Sequence, residues 1–115
     1  MKEKDKKKVV IIGGGNGTVI SINAFKPWRK DFEISAIVSM SDSGGSTGRL
    51  RQEFDCLPPG DIMRAILAMS PYDYETLKNI FHRNRFTEGK LECHNLGNMF
   101  LVLASEYNKN FLQTV

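Results

Sequence analysis

Four β-branched residues in a row, Val9-Val10-Ile11-Ile12, run straight into Gly13-Gly14-Gly15-Asn16-Gly17. An uninterrupted apolar run of this length suits a parallel strand covered on both faces. A glycine loop at its carboxyl end lets the backbone turn sharply and come close to a ligand. Val19, Ile22 and Phe25 then recur at helical spacing, and Pro27 supplies a stop signal. Phe32 to Met40 reads as a second strand, rich in Ile and Val. Strand, glycine loop, helix and strand form the opening βαβ unit of a doubly wound α/β sheet. That architecture binds ligands beyond the carboxyl ends of its strands, which is where the glycine loop falls.

A second special loop follows the second strand. The stretch Ser41-Asp42-Ser43-Gly44-Gly45-Ser46-Thr47-Gly48-Arg49-Leu50-Arg51 combines three glycines, a carboxylate, a run of hydroxyls and two arginines. Successive free N–H groups in such a turn make an anion-binding concavity, and Arg49 adds a planar fork suited to phosphate. Ser43, Gly44, Gly45, Ser46 and Arg49 are therefore expected to hold a phosphate-bearing ligand. Asp42 stands at the expected strand end, where an acid takes a ribose hydroxyl or helps to hold magnesium, or else shapes the loop as an Asx-turn. In the first loop Thr18 occupies the place of the third glycine of the dinucleotide fingerprint, which argues against a nicotinamide-dependent oxidoreductase. Asn16 and Thr18 instead offer side-chain donors to a phosphate or a sugar hydroxyl, beside Gly13, Gly14, Gly15 and Gly17.

The rest of the chain reads as helices. Arg49 to Phe54 forms a short one, punctuated by Pro58-Pro59-Gly60. Asp61 is placed as N-cap for Ile62 to Met69, whose Ile62, Ala65, Ile66 and Met69 form an apolar stripe; the same carboxylate is a candidate catalytic group alongside Asp42. Ser70-Pro71 opens a helix to about Arg83. Phe86 to Leu91 is a loop or a short extended piece. His94-Asn95-Leu96-Gly97-Asn98 makes a polar entrance to a helix from Met99 to about Tyr107. Amides at a helix N-terminus suit sugar or phosphate contacts, so His94, Asn95 and Asn98 join the candidate ligand set. Arg83, Arg85 and Lys90 read as a solvated face, and Met40, Met63, Met69 and Met99 as core filling.

Charge and cysteine usage narrow the function classes. The net charge of +3 comes entirely from the first eight residues, five lysines against Glu3 and Asp5; this leaves 11 of the 16 basic and 11 of the 13 acidic residues for the remainder. A neutral body argues against nucleic acid, and residues 1–8 read as a basic flexible tail. Cys56 and Cys93 lack the paired spacing of zinc ligands and read as reduced thiols. No apolar run approaches the roughly 20 residues of a membrane helix, and Val9 to Ile12 is shorter than the ~7–15 apolar residues of a secretory signal. A cytoplasmic protein is expected. Two strands with several helices leave sheet edge and helix faces uncovered, so residues 9–115 are expected to be the N-terminal part of a larger nucleotide-binding domain.

Taken together, Gly13-Gly14-Gly15-Asn16-Gly17-Thr18, Asp42 through Arg51, Pro58-Pro59-Gly60-Asp61 with Ile62 and Arg64, Arg85-Phe86, Gly89, Leu91 and His94-Asn95-Leu96-Gly97-Asn98 resemble one family. It contains 2-phospho-L-lactate transferase (CofD-like) and its bacterial relatives, the YvcK-type gluconeogenesis factors. Gly44 to Arg51 looks more like the bacterial branch. The resemblance implies a Rossmann-like, three-layer α/β fold with a parallel sheet, of which this is the N-terminal portion. For the bacterial branch it implies binding of a nucleotide-sugar and control of cell shape and carbon metabolism. For the transferase branch it implies magnesium-dependent movement of a phospholactyl group from a guanosine diphospho-donor to a deazaflavin acceptor. Gly13 to Thr18 and Asp42 to Arg49 would line the cleft, faced by Asp61 and by His94 to Asn98. Ser43 stands where the family often has a second acid, and Cys93 where a glycine is common. The expected partner is a phosphorylated small molecule or nucleotide-sugar, with no membrane, and a homo-oligomer is left open.

Overall fold

The computed structural model describes residues 5–115. Strand β1 (Lys7–Gly13) pairs in parallel with β2 (Phe32–Val38), from Lys7 opposite Phe32 to Gly13 opposite Val38. Helix α1 (Gly15–Phe25) joins them, followed by a short 3₁₀ turn at Lys26–Trp28. The βαβ opening is therefore as expected, with two shifts. Strand β1 begins at Lys7, so Lys7 and Lys8 belong to the sheet and not to a tail; residues 1–4 of that tail lie outside the described residues. Strand β2 stops at Val38, two residues short of Met40.

Five further helices follow: α2 (Gly45–Phe54), α3 (Pro59–Met69), α4 (Tyr74–Lys78), α5 (Leu96–Asn108) and α6 (Phe111–Thr114). Helix α4 runs on into a wider π-helical turn, Asn79–Arg83. The helix starts differ from the expected ones. Helix α2 opens at Gly45, four residues before Arg49, so the part of the second loop from Gly45 to Arg51 is helical. Pro59 opens α3, since its fixed φ suits the first helical position. Asp61 thus lies inside the first turn and caps nothing. Asp73, not Ser70, caps α4: its carboxylate accepts from Thr76 N and Thr76 Oγ1, both at 2.8 Å. Asn95 caps α5, its Oδ1 accepting from Asn98 N at 2.8 Å.

Two apolar clusters hold these pieces together. Ile11, Val19, Ile22, Ala65 and Ala68 pack where α1 and α3 lie on the sheet. Ile62, Met63, Leu67 and Leu101 join α3 to α5, with Leu77, Phe81 and Phe111 against them. Ile22 is fully buried, which contributes about 1.5–3 kcal/mol relative to exposure. Arg29 closes the far end of α3 by donating to the carbonyls of Met69 and Ser70, a favourable place for a cation. The expectation that the first strand is covered on both faces is not met within this chain. Ile11 is buried, but Ile12 is 76% exposed and Ile37 of β2 is 57% exposed. Met40, expected in the core, is 40% exposed, whereas Met63 is buried.

Candidate functional site

Both strands end at the same edge of the sheet, and each is followed by a helix that opens on a left-handed glycine. Gly15 has φ +58° and Gly45 has φ +49°. Glycine adopts this conformation without the steric cost that a Cβ would bring. Neither Gly14 nor Gly44, the cap residues, brings a side chain to the helix start, so the first N–H groups of α1 and α2 have no side-chain cap. Such N–H groups lack intrahelical acceptors and carry the positive end of the helix dipole.

Arg64 of α3 connects the two loops. A Cβ on Gly15 would lie 4.0 Å from Arg64 Nη1, and one on Gly14 would lie 3.3 Å from Asp61 Oδ2. Arg64 also lines a cleft of about 380 Å³ with Asp42, Gly44, Gly45, Ser46 and Thr47 on one side. Gly60, His82, Arg85, Cys93 and Asn98 complete its wall. Asp61 Oδ1 stands 3.8 Å from Arg64 Nη1, an ion pair without a hydrogen bond. Arg64 Nε donates to His82 Nε2 at 2.9 Å. That bond requires Nε2 to be unprotonated, and the surroundings favour it: burial, then Arg64, Arg85 and Lys78, push the His82 pKa down to about 4.

Beneath the cleft lies a buried polar cluster. Ser46 Oγ and His94 Nδ1 are 2.7 Å apart, and Asn98 Nδ2 donates to Ser46 Oγ at 3.3 Å. Burial, followed by the charge of Arg49, lowers the His94 pKa, which favours the neutral ring; the tautomer of that ring sets which of the two atoms donates. Asn95 Nδ2 donates to the His82 carbonyl at 3.3 Å. Asn98 is 2% exposed, lines the cleft, and keeps its Oδ1 without a protein partner. A buried amide oxygen left unpaired costs free energy unless something else donates to it.

The fold separates the sequence-derived candidates. Asp42, Gly44, Gly45, Ser46 and Asn98 come together in the cleft. Gly14 and Gly15 reach it through Asp61 and Arg64, whereas Asn16 and Gly17 are exposed on α1. Thr18 is buried, with Oγ1 3.0 Å from where a Cβ on Gly13 would sit, so it packs under the turn and does not present a hydroxyl at the surface. Ser43 is exposed and contributes its carbonyl to the packing against α2. Arg49 is outside the lining: its guanidinium donates to the carbonyls of Glu92 and, at 3.1 Å, Lys90, tying α2 to the 89–92 turn. His94 and Asn95 are committed to Ser46 and to the start of α5. Sequence reasoning left Arg64, His82 and Arg85 out of the ligand set. The one local signal for Arg64 is its place three residues after Asp61, on the same helical face.

A family model described as 2-phospho-L-lactate transferase CofD matches residues 9–115. The chain belongs to the CofD family. Among similar proteins, the gluconeogenesis factor of Listeria monocytogenes is 36% identical over all 115 residues, and that of Bacillus subtilis is 39% identical over 111 residues, 96% of this chain. The match spans 35% and 34% of those two relatives, so the chain corresponds to about a third of their length. A crystal structure of a Bacillus halodurans protein superposes with a TM-score of 0.83 at 36% identity, covering 96% of this chain and 34% of that one. The mixed α/β fold with its parallel strands is thus the fold of this CofD family member's solved relative. Among the described residues, no helix is long and apolar enough to cross a membrane.

Proposed function

We propose that this CofD-family chain forms the phosphate-holding wall of a cleft for a nucleotide-sugar or similar phosphorylated ligand, and serves as a regulatory protein of the gluconeogenesis-factor type. The observation that carries this is Arg64, which stands between two glycine-opened helix N-termini and lines the cleft beside one of them. The N–H groups of the first turn of α2, from Gly45 onward, take phosphate oxygens, and Arg64 and Arg85 supply charge. Asn98 Oδ1 accepts a hydroxyl or amide proton from the ligand's other end. A link to cell shape and carbon metabolism follows from the bacterial branch of the family and belongs to the same proposal.

The transferase branch implies magnesium, for which the cleft offers few free donors. Among the described residues, no three His, Cys, Asp or Glu side chains converge on one point. Asp42 Oδ1 already accepts from Gly44 N at 3.0 Å, and Asp61 faces Arg64. A cage of protein ligands for the ion does not fit here.

Calorimetric titration of a UDP-sugar into the full chain tests the reading. Arg64→Ala removes a charge-assisted contact of about 1.5–3 kcal/mol and should weaken binding by about tenfold to hundredfold. Arg83→Ala, outside the cleft lining, should leave it unchanged. Binding that is absent from a folded wild type, or indifferent to Arg64→Ala, would refute the proposal. The family model's description supports a second reading, transfer of a phosphoryl-linked group. Asp42→Asn separates the two, because it keeps the Oδ1 acceptor for Gly44 while removing the charge. Turnover of a nucleotide diphospho-donor that survives this change removes Asp42 from any such chemistry.

A further inference from the structure

We propose that His82 is a positioning residue for Arg64: its imidazole holds the guanidinium by Nε alone and leaves the outer fork to the ligand. The inference rests on the phosphate reading of the cleft and adds what makes that arginine available. A guanidinium carries five donors in a fixed plane. A carboxylate paired with it side by side would take two of them and cancel its charge. Here the acid nearest to hand, Asp61, stops at 3.8 Å from Nη1, beyond hydrogen-bond reach. The hydrogen bond goes instead from Nε to the neutral ring of His82, at 2.9 Å. Among the described residues, Nη2 has no protein hydrogen-bond partner.

The backbone that carries the ring is itself anchored. His82 lies in the wide turn Asn79–Arg83, where the helical path takes up an extra residue. Its carbonyl accepts from Asn95 Nδ2, and Asn95 Oδ1 caps the helix that carries Asn98 into the cleft. Asn95 therefore ties the backbone that carries the imidazole to the backbone that carries Asn98 into the cleft. Burial first, then the positive charges of Arg64, Arg85 and Lys78, keep the ring neutral at neutral pH, and the bond from Arg64 Nε selects the tautomer with Nε2 bare.

The test uses inorganic pyrophosphate as the probe, titrated into the full chain. His82→Leu removes the acceptor and should weaken binding by about tenfold, the worth of one charge-assisted hydrogen bond. His82→Gln, whose Oε1 reaches a similar point, should bring affinity back to within about threefold of wild type. ¹⁵N-histidine NMR of the wild type should find His82 protonated on Nδ1 and bare on Nε2 at neutral pH; this readout serves even if His82→Leu does not fold. An Nε2-protonated ring overturns the inference. So does His82→Leu binding as tightly as wild type while Arg64→Ala binds weakly, which spares the phosphate reading. Equal losses in the Leu and Gln variants also overturn it, leaving His82 a packing role alone. A folded wild type that ignores pyrophosphate removes the phosphate reading, and the inference falls with it.

Discussion

Replacing Gly48 with alanine would place a Cβ 2.9 Å from the carbonyl carbon of Ser43, and closer still to its oxygen. Non-bonded contacts below 3.0 Å are essentially never seen for a real Cβ. The obstacle is backbone, so no side-chain rotation relieves it; the 42–45 turn must shift or α2 must tilt. Overpacking of this kind costs roughly 1–3 kcal/mol, and a clash with main chain belongs at the upper end. Against it stands the gain from exchanging glycine for alanine within a helix, about 1 kcal/mol. The net expectation is a loss of about 2 kcal/mol, or about 1 M in the urea midpoint for an m-value of about 2 kcal/mol/M.

Gly17 supplies the control. It also lies in a helix, α1, but a Cβ there meets nothing within 4 Å. Gly17→Ala keeps the propensity gain without the clash, so stability should stay level or rise by up to about 1 kcal/mol. Urea unfolding followed by circular dichroism measures both variants. The displaced carbonyl leads directly into the Gly44–Gly45 turn, so Gly48→Ala should also weaken phosphate binding while Gly17→Ala does not. Equal stability of Gly48→Ala and wild type would refute the claim that Ser43 packs directly on α2.

Three further perturbations probe the cluster under the cleft. Ser46→Ala leaves His94 Nδ1 and Asn98 Nδ2 buried without their shared partner, and urea unfolding should register a loss of about 1–3 kcal/mol. Asn95→Ala removes the cap of α5 and should lower stability by about 1–2 kcal/mol in the same assay; Asn95→Asp keeps the acceptor for Asn98 N but buries a charge against the His82 carbonyl, and should recover none of it. Stability should also fall with acidity. The folded His82 pKa is depressed from 6.5 to about 4, so the unfolded chain takes up this proton first; stability is full above pH 6.5 and declines as pH drops toward 4. His94 shifts in the same direction, and unfolding curves across this window should flatten in His82→Gln without becoming level.

How far the chain could be read from its letters depended on the range over which each feature is decided. The run Val9 to Ile12 and its glycine loop specify strand, turn and helix within a dozen residues, and the parallel βαβ unit follows from local pattern alone. The start of α2 was hidden because Gly45-Ser46-Thr47-Gly48 is poor helix-forming sequence. It is helical because Ser46 is anchored to His94 and Asn98, about fifty residues away, and because Ser43 packs on Gly48. Arg49 was chosen for the ligand by its neighbours in sequence, yet its guanidinium reaches across to the carbonyls of Lys90 and Glu92. The cations that do line the cleft, Arg64 and Arg85, come from α3 and from the segment after the wide turn, and their positions depend on His82 and on the carbonyl of Cys93. The two halves of the proposed anion site are thus encoded differently. Backbone N–H groups are written locally, as glycines after strands, because they need only a turn. Side-chain charge must be brought in by tertiary packing, so the arginine nearest in sequence ends up bracing a loop while more distant ones face the cleft.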